Sequence, residues 1–342
     1  MFNDTFLRAC RKQPTEYTPV WYMRQAGRYQ PEYRAIRKQY SFFEMTQHPE
    51  ICAKVTKLPV DQLGVDAAIL FADIMTPLKA IGVNVEIQAS IGPVIQPPIR
   101  SMEQVKLLGA FEPNRDVPFI KETIQQLIEQ LEVPLIGFAG APFTLASYLV
   151  EGGPSKNYYH TKAMMYRAPE AWSLLMEQLG DLCIDYLRYQ IEAGVHAVQV
   201  FDSWVGTLSK EDYKSYVFPV MKRIFTELKK TNVPIIYFGL GIEHLLPLWN
   251  QLPIDVIGLD WRIPIARARE EYQITKAIQG NLDPAYLLAP WEKLQSKVAE
   301  IVSEGIKKPG YIFNLGHGIF PDCDVETLQK LTAYVHQITR EN

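Results

Sequence analysis

The chain has 342 residues and a formal charge of -3, with 47% hydrophobic and 21% charged residues. That length allows one large domain or two modest ones, with ample core. The near-neutral balance excludes binding to nucleic acid or a membrane surface through bulk charge. No uninterrupted apolar run reaches the roughly 18 residues of a spanning helix.

The first apolar run, Val20–Met23, ends on Arg24, and a turn displays Arg24 and Arg28 on either side of Gly27. Arg34 and Arg37 follow. Residues 1–38 carry eight basic against three acidic side chains, a net +5 in an acidic chain. Guanidinium groups hold a permanent charge and a planar fork that fits a carboxylate two bonds at a time. The stretch therefore suits a polyanionic small molecule; the plainer alternative is that these arginines pair with internal carboxylates and staple the fold.

The second run, Ala67–Phe71, leads to Asp73, a carboxylate close enough to an apolar strand to need donors. It reads as an acceptor for ligand N–H groups or as an acid or base with a shifted pKa. Residues 76–118, rich in proline, read as an insertion with Val83–Ile87 as one strand of a small hairpin. Phe119–Glu132 has helical spacing. Leu135–Phe138 then exits through the glycines of 137–140 into a helix carrying Tyr148. Glycines permit close backbone approach, and a helix N-terminus attracts anions. Glu151–Asn157 reads as a lid loop. A long helical pattern, Glu170–Ala193, precedes the run Ala197–Phe201, which closes on Asp202, Ser203 and Trp204. Another helix is expected over Lys210–Lys230, capped by Ser209. Ile235–Phe238, Val256–Leu259 and the weak Ala277–Ile278 follow. Trp291–Ile306 is helical with Pro290 at its start. The last run, Tyr311–Phe313, leads to Asn314 and to His317 between two glycines, in a tight turn at the cleft mouth.

Eight strands alternating with helices predict an α/β fold, a parallel (β/α)8 TIM-type barrel over residues 1–342, single-domain with insertions. A doubly wound sheet is the rival, but no Gly-x-Gly-x-x-Gly follows the first run. Barrel chemistry sits where strands exit at their C-terminal ends. Those ends read Arg24, Asp73, Gly140, Asp202, Gly239, Asp260, Asn281, and Asn314 with His317, a ring that marks a functional cleft. Cys10, Cys52, Cys183 and Cys323 are scattered without a C-x-x-C, which fits reduced cytoplasmic thiols better than a disulfide framework. No close cluster of zinc ligands is present, so no metal is expected. The arginines are not interleaved with aromatics along a groove, so nucleic acid is not expected either.

The stretch Pro19–Arg34 closely resembles the N-terminal signature of the uroporphyrinogen decarboxylase family, and Gly137–Gly153 resembles its second signature. Phe71-Ala-Asp73-Ile, Phe201-Asp-Ser203-Trp, Gly280-Asn-Leu-Asp283-Pro and Asn314-Leu-Gly-His317-Gly are similar to further family blocks, in order, from about Asn3 to Tyr334. Ala72 stands where serine is common and Phe143 where tryptophan is common. The resemblance implies a (β/α)8 barrel, a homodimer with facing clefts, and no metal or organic cofactor. It implies conversion of uroporphyrinogen III to coproporphyrinogen III, with four acetate arms becoming methyls and four CO2 released, on the route to haem. By the same resemblance Asp73 accepts from the pyrrole N–H groups and is catalytic. Arg24 and Arg28 bind carboxylates, with Arg24 a candidate acid beside Asp73, Tyr148 or a water. Arg37, Tyr148, Ser203 and His317 bind substrate. Two other readings stand beside it. A zinc-dependent corrinoid or thiol methyltransferase of the same superfamily would need a His-x-Cys and a distant Cys, and Phe238-Gly-Leu-Gly241 lacks them. The other is a non-catalytic tetrapyrrole-binding protein.

Overall fold

The computed structural model describes residues 1–88 and 92–340. Seven parallel strands form one curled sheet in chain order: Ala68–Ile69, Leu135–Gly140, Ala197–Asp202, Ile235–Gly239, Val256–Gly258, Ala277–Gln279 and Tyr311–Ile312. Most of their residues are buried on both faces, as a parallel sheet wrapped in helices requires. Seven of the eight expected strands are thus present, each inside or one residue beyond its apolar run or, for Leu135–Gly140, two.

The eighth position belongs to the first run, which contributes only a bridge. Val20 pairs in parallel with Phe313. Phe313 N donates to Pro19 O and Trp21 N to Phe313 O. On the other side Asp66 N donates to Val20 O, while Val20 N donates to the Asp66 carboxylate (2.8 Å). A side chain thus substitutes for a ladder carbonyl, and the ring of a (β/α)8 barrel closes between its first and last strands.

The Asp66 carboxylate also accepts from Asn3, Tyr17 and His336. His336 lies on the C-terminal helix Val325–Arg340, so both ends of the chain are tied to the closure point.

The insertion after strand Ala68–Ile69 holds an antiparallel hairpin, Val85–Gln88 with Gly92–Ile95. Residues 89–91 and 341–342 of the expected domain lie outside the described residues. Ile95 N donates to Gly152 O and Ile99 N to Leu149 O, which fastens the hairpin to the end of helix Pro142–Glu151.

The helix expected over Lys210–Lys230 is instead two, Lys210–Tyr216 and Phe218–Lys229. Pro219 cannot donate to the preceding turn and its ring would crowd that turn's carbonyl, so the chain breaks at Val217. Ser209 caps the first of the two, accepting from Asp212 N.

Candidate active site

Arg24 leaves the first strand with a left-handed backbone (φ +58°) and an exposed side chain. Its guanidinium makes no hydrogen bond or ion pair within the chain among the described residues. The Arg28 guanidinium is equally unpaired. Arg34 instead donates to the Arg28 and Tyr29 carbonyls, and Arg37 to the Tyr40 carbonyl. The stapling alternative therefore fails for Arg24 and Arg28, while Arg34 does serve the local fold. Arg28 and Arg37 both bring positive charge to Tyr33, whose ring meets the edge of Phe71 at 5.8 Å, two residues before Asp73.

Asp73 is half-buried and accepts from Met75 N (2.8 Å), a local turn that fixes the carboxylate as the strand ends. Burial pushes its pKa up, while the Met75 N–H and the Arg24 charge pull it down; the net is a rise. Burial pushes the Tyr148 phenol up and the Asp73 charge adds to the rise, while the Arg24 charge opposes it. The Tyr148 hydroxyl thus stays protonated and available to donate. Tyr148 stands nearly two turns into helix Pro142–Glu151 and packs on Trp204, with ring centroids 3.9 Å apart and planes tilted by 34°. Tyr158 covers the other part of Trp204 at 4.9 Å, and its own phenol is pushed up to about 12, chiefly by burial.

Ser203 precedes Trp204, half-buried, and its hydroxyl has no partner among the described residues. His317 is half-buried beside the Trp261 ring. Burial first, then the Arg24 and Arg262 charges, lower its pKa, so the imidazole is neutral near pH 7 and can accept as well as donate. The charge of Arg24 therefore reaches Asp73, Tyr148 and His317 alike. Ser203 joins them through Trp204, and Arg28 and Arg37 stand beyond Phe71 on the rim.

Two expectations are corrected. The glycines of the strand exits do not serve ligand approach: a Cβ on Gly140 would meet Leu145 and Ile74, and one on Gly239 would meet Ile242 and Trp249. Their role is tight packing. The anion at the N-terminus of helix Pro142–Glu151 is the protein's own Asp202. That carboxylate is fully buried and accepts from the Thr144 hydroxyl (2.7 Å) and the Tyr237 hydroxyl (2.6 Å). Asp202 therefore points outward, into the layer between strands and helices.

If Asp202 faces out, alternation turns its neighbour Phe201 inward. The Phe201 ring meets Phe138 at 5.5 Å and Phe238 at 6.0 Å, both edge to face. Three adjacent strands thus lay an apolar floor under the polar rim, which the sequence reading missed although each run ends in phenylalanine. Asp260 and Asn281 are buried and spend their bonds on the loops themselves. Among the described residues no group of three or more His, Cys, Asp or Glu side chains could hold a metal. The site is an apolar basin with one central carboxylate, neutral hydroxyl and imidazole groups, and free guanidinium groups.

A family model described as Uroporphyrinogen decarboxylase (URO-D) matches residues 1–338. A protein named uroporphyrinogen decarboxylase from Geobacillus kaustophilus (strain HTA426) is 62% identical over 341 residues, covering 99% of each chain. Its namesake from Bacillus subtilis (strain 168) is 59% identical over 340 residues, covering 99% of this chain and 96% of that one. Among solved structures, a methyltransferase from Methanosarcina mazei matches with a TM-score of 0.79 at 16% identity, covering 99% of both chains. A B12-independent methionine synthase from Shewanella sp. W3-18-1 matches with a TM-score of 0.62 at 12% identity, over 88% of this chain and 90% of that one. At such identities the two structures speak for the fold alone.

Proposed function

From the premise that the chain belongs to the uroporphyrinogen decarboxylase family, we propose how its cleft carries out the decarboxylation. The activity is that of a carboxy-lyase of porphyrin biosynthesis, and neither the methyltransferase nor the carrier reading is favoured. The substrate of the proposed reaction is uroporphyrinogen III, a flexible macrocycle with eight carboxylates and four pyrrole N–H groups. Four acetate arms become methyls, giving coproporphyrinogen III and four CO2.

Asp73 is the acceptor for the pyrrole N–H groups. The observation that carries this is a half-buried carboxylate beside an unpaired Arg24, above an apolar floor. The floor suits the macrocycle face and the guanidinium groups suit its carboxylate rim. No cofactor is required, because the pyrrole is its own electron sink. Protonation of the ring carbon beside an acetate arm gives an iminium-like cation. The C–C bond to the carboxylate breaks, its electrons neutralise the cation and leave an exocyclic methylene, and CO2 departs; the methylene carbon then takes a proton and the ring carbon gives back the one it gained, which restores the pyrrole. The negative charge of Asp73 stabilises the cation.

Arg24 and Arg28 bind substrate carboxylates, and Arg37, Tyr148, Ser203 and His317 complete the contacts. Arg24 is also the candidate acid, although its permanent charge makes it a reluctant donor. The raised pKa of Asp73 and the hydroxyl of Tyr148 keep both in contention for that step.

We further read residues 1–342 as a single domain, supported by one contiguous core running from Phe6 to Val335. We place the enzyme in the cytoplasm as a homodimer. Four buried, unbridged cysteines support the first, and exposed Tyr159 and Phe320, on segments that follow Tyr158 and His317, support the second.

The test is Asp73→Asn. With uroporphyrinogen III under anaerobic conditions and a chelator present, the wild type should yield seven-, six-, five- and four-carboxylate products in sequence. The variant should fall by about 10²-fold or more in turnover, the scale of losing one preorganised electrostatic partner. Near-normal turnover by a folded Asp73→Asn protein would remove Asp73 from its role.

A further inference from the structure

Arg24 alone among the proposed site residues has a left-handed backbone, with φ +58°. A residue with a Cβ holds that conformation only where its surroundings dictate it. Here they belong to the loop that follows the last strand, almost the full length of the chain away. Asn314 Oδ1 accepts from Met23 N (3.1 Å) and from Leu315 N (2.7 Å). Ile319 N donates to Met23 O (3.0 Å). Both main-chain polar groups of the residue before Arg24 are therefore taken by residues 314–319. Between those two anchors lies Gly318, and a Cβ placed there would stand 2.4 Å from Arg24 Cδ, 2.7 Å from Cγ and 3.1 Å from Cβ. The aliphatic stem of Arg24 thus lies along the bare face of Gly318, and its guanidinium is left free of partners among the described residues.

We propose that Asn314 and Gly318 are positioning residues that aim Arg24 into the cleft, so that the loop carrying His317 also sets the direction of the arginine. Asn314 holds the backbone from which Arg24 springs. Gly318 gives its stem a single channel. Neither acts on substrate; both act through Arg24. The inference rests on the reading of Arg24 as a substrate-binding and catalytic group. It also gives the glycine after His317 a task that turn geometry alone does not: Gly318 is not among the described glycines with positive φ, so alanine is admissible to its backbone. The three atoms nearest the added methyl all belong to the flexible stem of Arg24, so the fold should survive while the guanidinium is displaced.

The test compares wild type, Gly318→Ala, Arg24→Ala and the double variant, as full chains, in anaerobic single turnovers of uroporphyrinogen III with enzyme in excess. Thermal melts confirm folding. Displacing a catalytic group by about 1 Å costs on the order of 10²-fold, so Gly318→Ala should lose roughly 10- to 100-fold in kcat/KM with a near-native melt. The double variant should match Arg24→Ala, because the two closest contacts, to Cδ and Cγ, are gone and only Cβ remains, at 3.1 Å. Asn314→Leu, which removes the acceptor at similar size, should show the same pattern below its melting temperature. Wild-type turnover by Gly318→Ala, alongside a crippled Arg24→Ala, would overturn the inference and spare the role of Arg24. So would losses that multiply in the double variant. Normal turnover by Arg24→Ala would instead remove the reading on which the inference stands.

Discussion

At the scale of single residues, the cleft concentrates groups that are costly to the empty fold. Arg24 occupies the left-handed region, which costs a residue with a Cβ about 1–2 kcal/mol. Arg24→Gly should therefore be more stable than Arg24→Ala by about 1 kcal/mol, even after the greater chain entropy of glycine is counted, while both lose turnover. Urea titration of the two variants checks the difference. Asp73 belongs to the same class. Burial raises its pKa, so its ionised form is disfavoured by the fold. Asp73→Asn should melt at or above the wild-type temperature near pH 7 although it is the variant expected to lose turnover; a clear drop in melting temperature would show that the carboxylate is a structural partner.

At the scale of elements, Asp202 locks the exit of its own strand to helix Pro142–Glu151 through Thr144, and Trp204 N donates to the same hydroxyl (3.3 Å). Tyr148 lies one turn beyond Thr144 and packs on Trp204, so one buried carboxylate holds two cleft walls together. Burial lifts the Asp202 pKa to about 6, opposed by its hydroxyl donors and the Thr144 backbone. The sign follows from proton counts. Between the unfolded value near 4 and about 6 the folded state holds the extra proton, so this group's contribution to stability falls as pH rises through that window. The stability of wild type minus that of Asp202→Asn should decline by on the order of 3 kcal/mol between pH 4 and pH 7. A flat difference in paired denaturation curves would contradict the burial argument.

Asp202 also shows where sequence reading reached its limit. The apolar runs located seven strands because burial on both faces leaves an uninterrupted signature, and polar residues at their ends marked the cleft. Which way each end residue points was not legible. Asp73 and Asp202 look alike as strand termini, yet one faces the basin and the other faces helix Pro142–Glu151. That direction depends on pleat phase and on partners such as Thr144 and Tyr237, 58 and 35 positions away. The Phe138, Phe201 and Phe238 floor was hidden for the same reason. The break at Val217 was legible from Pro219 and was overlooked.

At the scale of the whole molecule, the ring closes through the Asp66 carboxylate, which holds Val20 N (2.8 Å) and His336 (2.7 Å) as well as Asn3 and Tyr17. Asp66→Ala would strand the buried Val20 N–H, at about 1–3 kcal/mol, and with it three part-buried donors. We predict a loss of about 3 kcal/mol or more in urea denaturation, with near-ultraviolet dichroism changing first at Tyr17 and its neighbours. The closure has a further consequence for how the enzyme comes into being. Arg24 emerges from the ribosome well before the loop that aims it; with roughly 290 residues between them, synthesis at about 5–20 residues per second separates the two by about 15–60 s. A nascent chain that stops short of Tyr311 lacks the last strand of the sheet and the loop that aims Arg24. A working cleft therefore has to wait for both, however early its arginine is made.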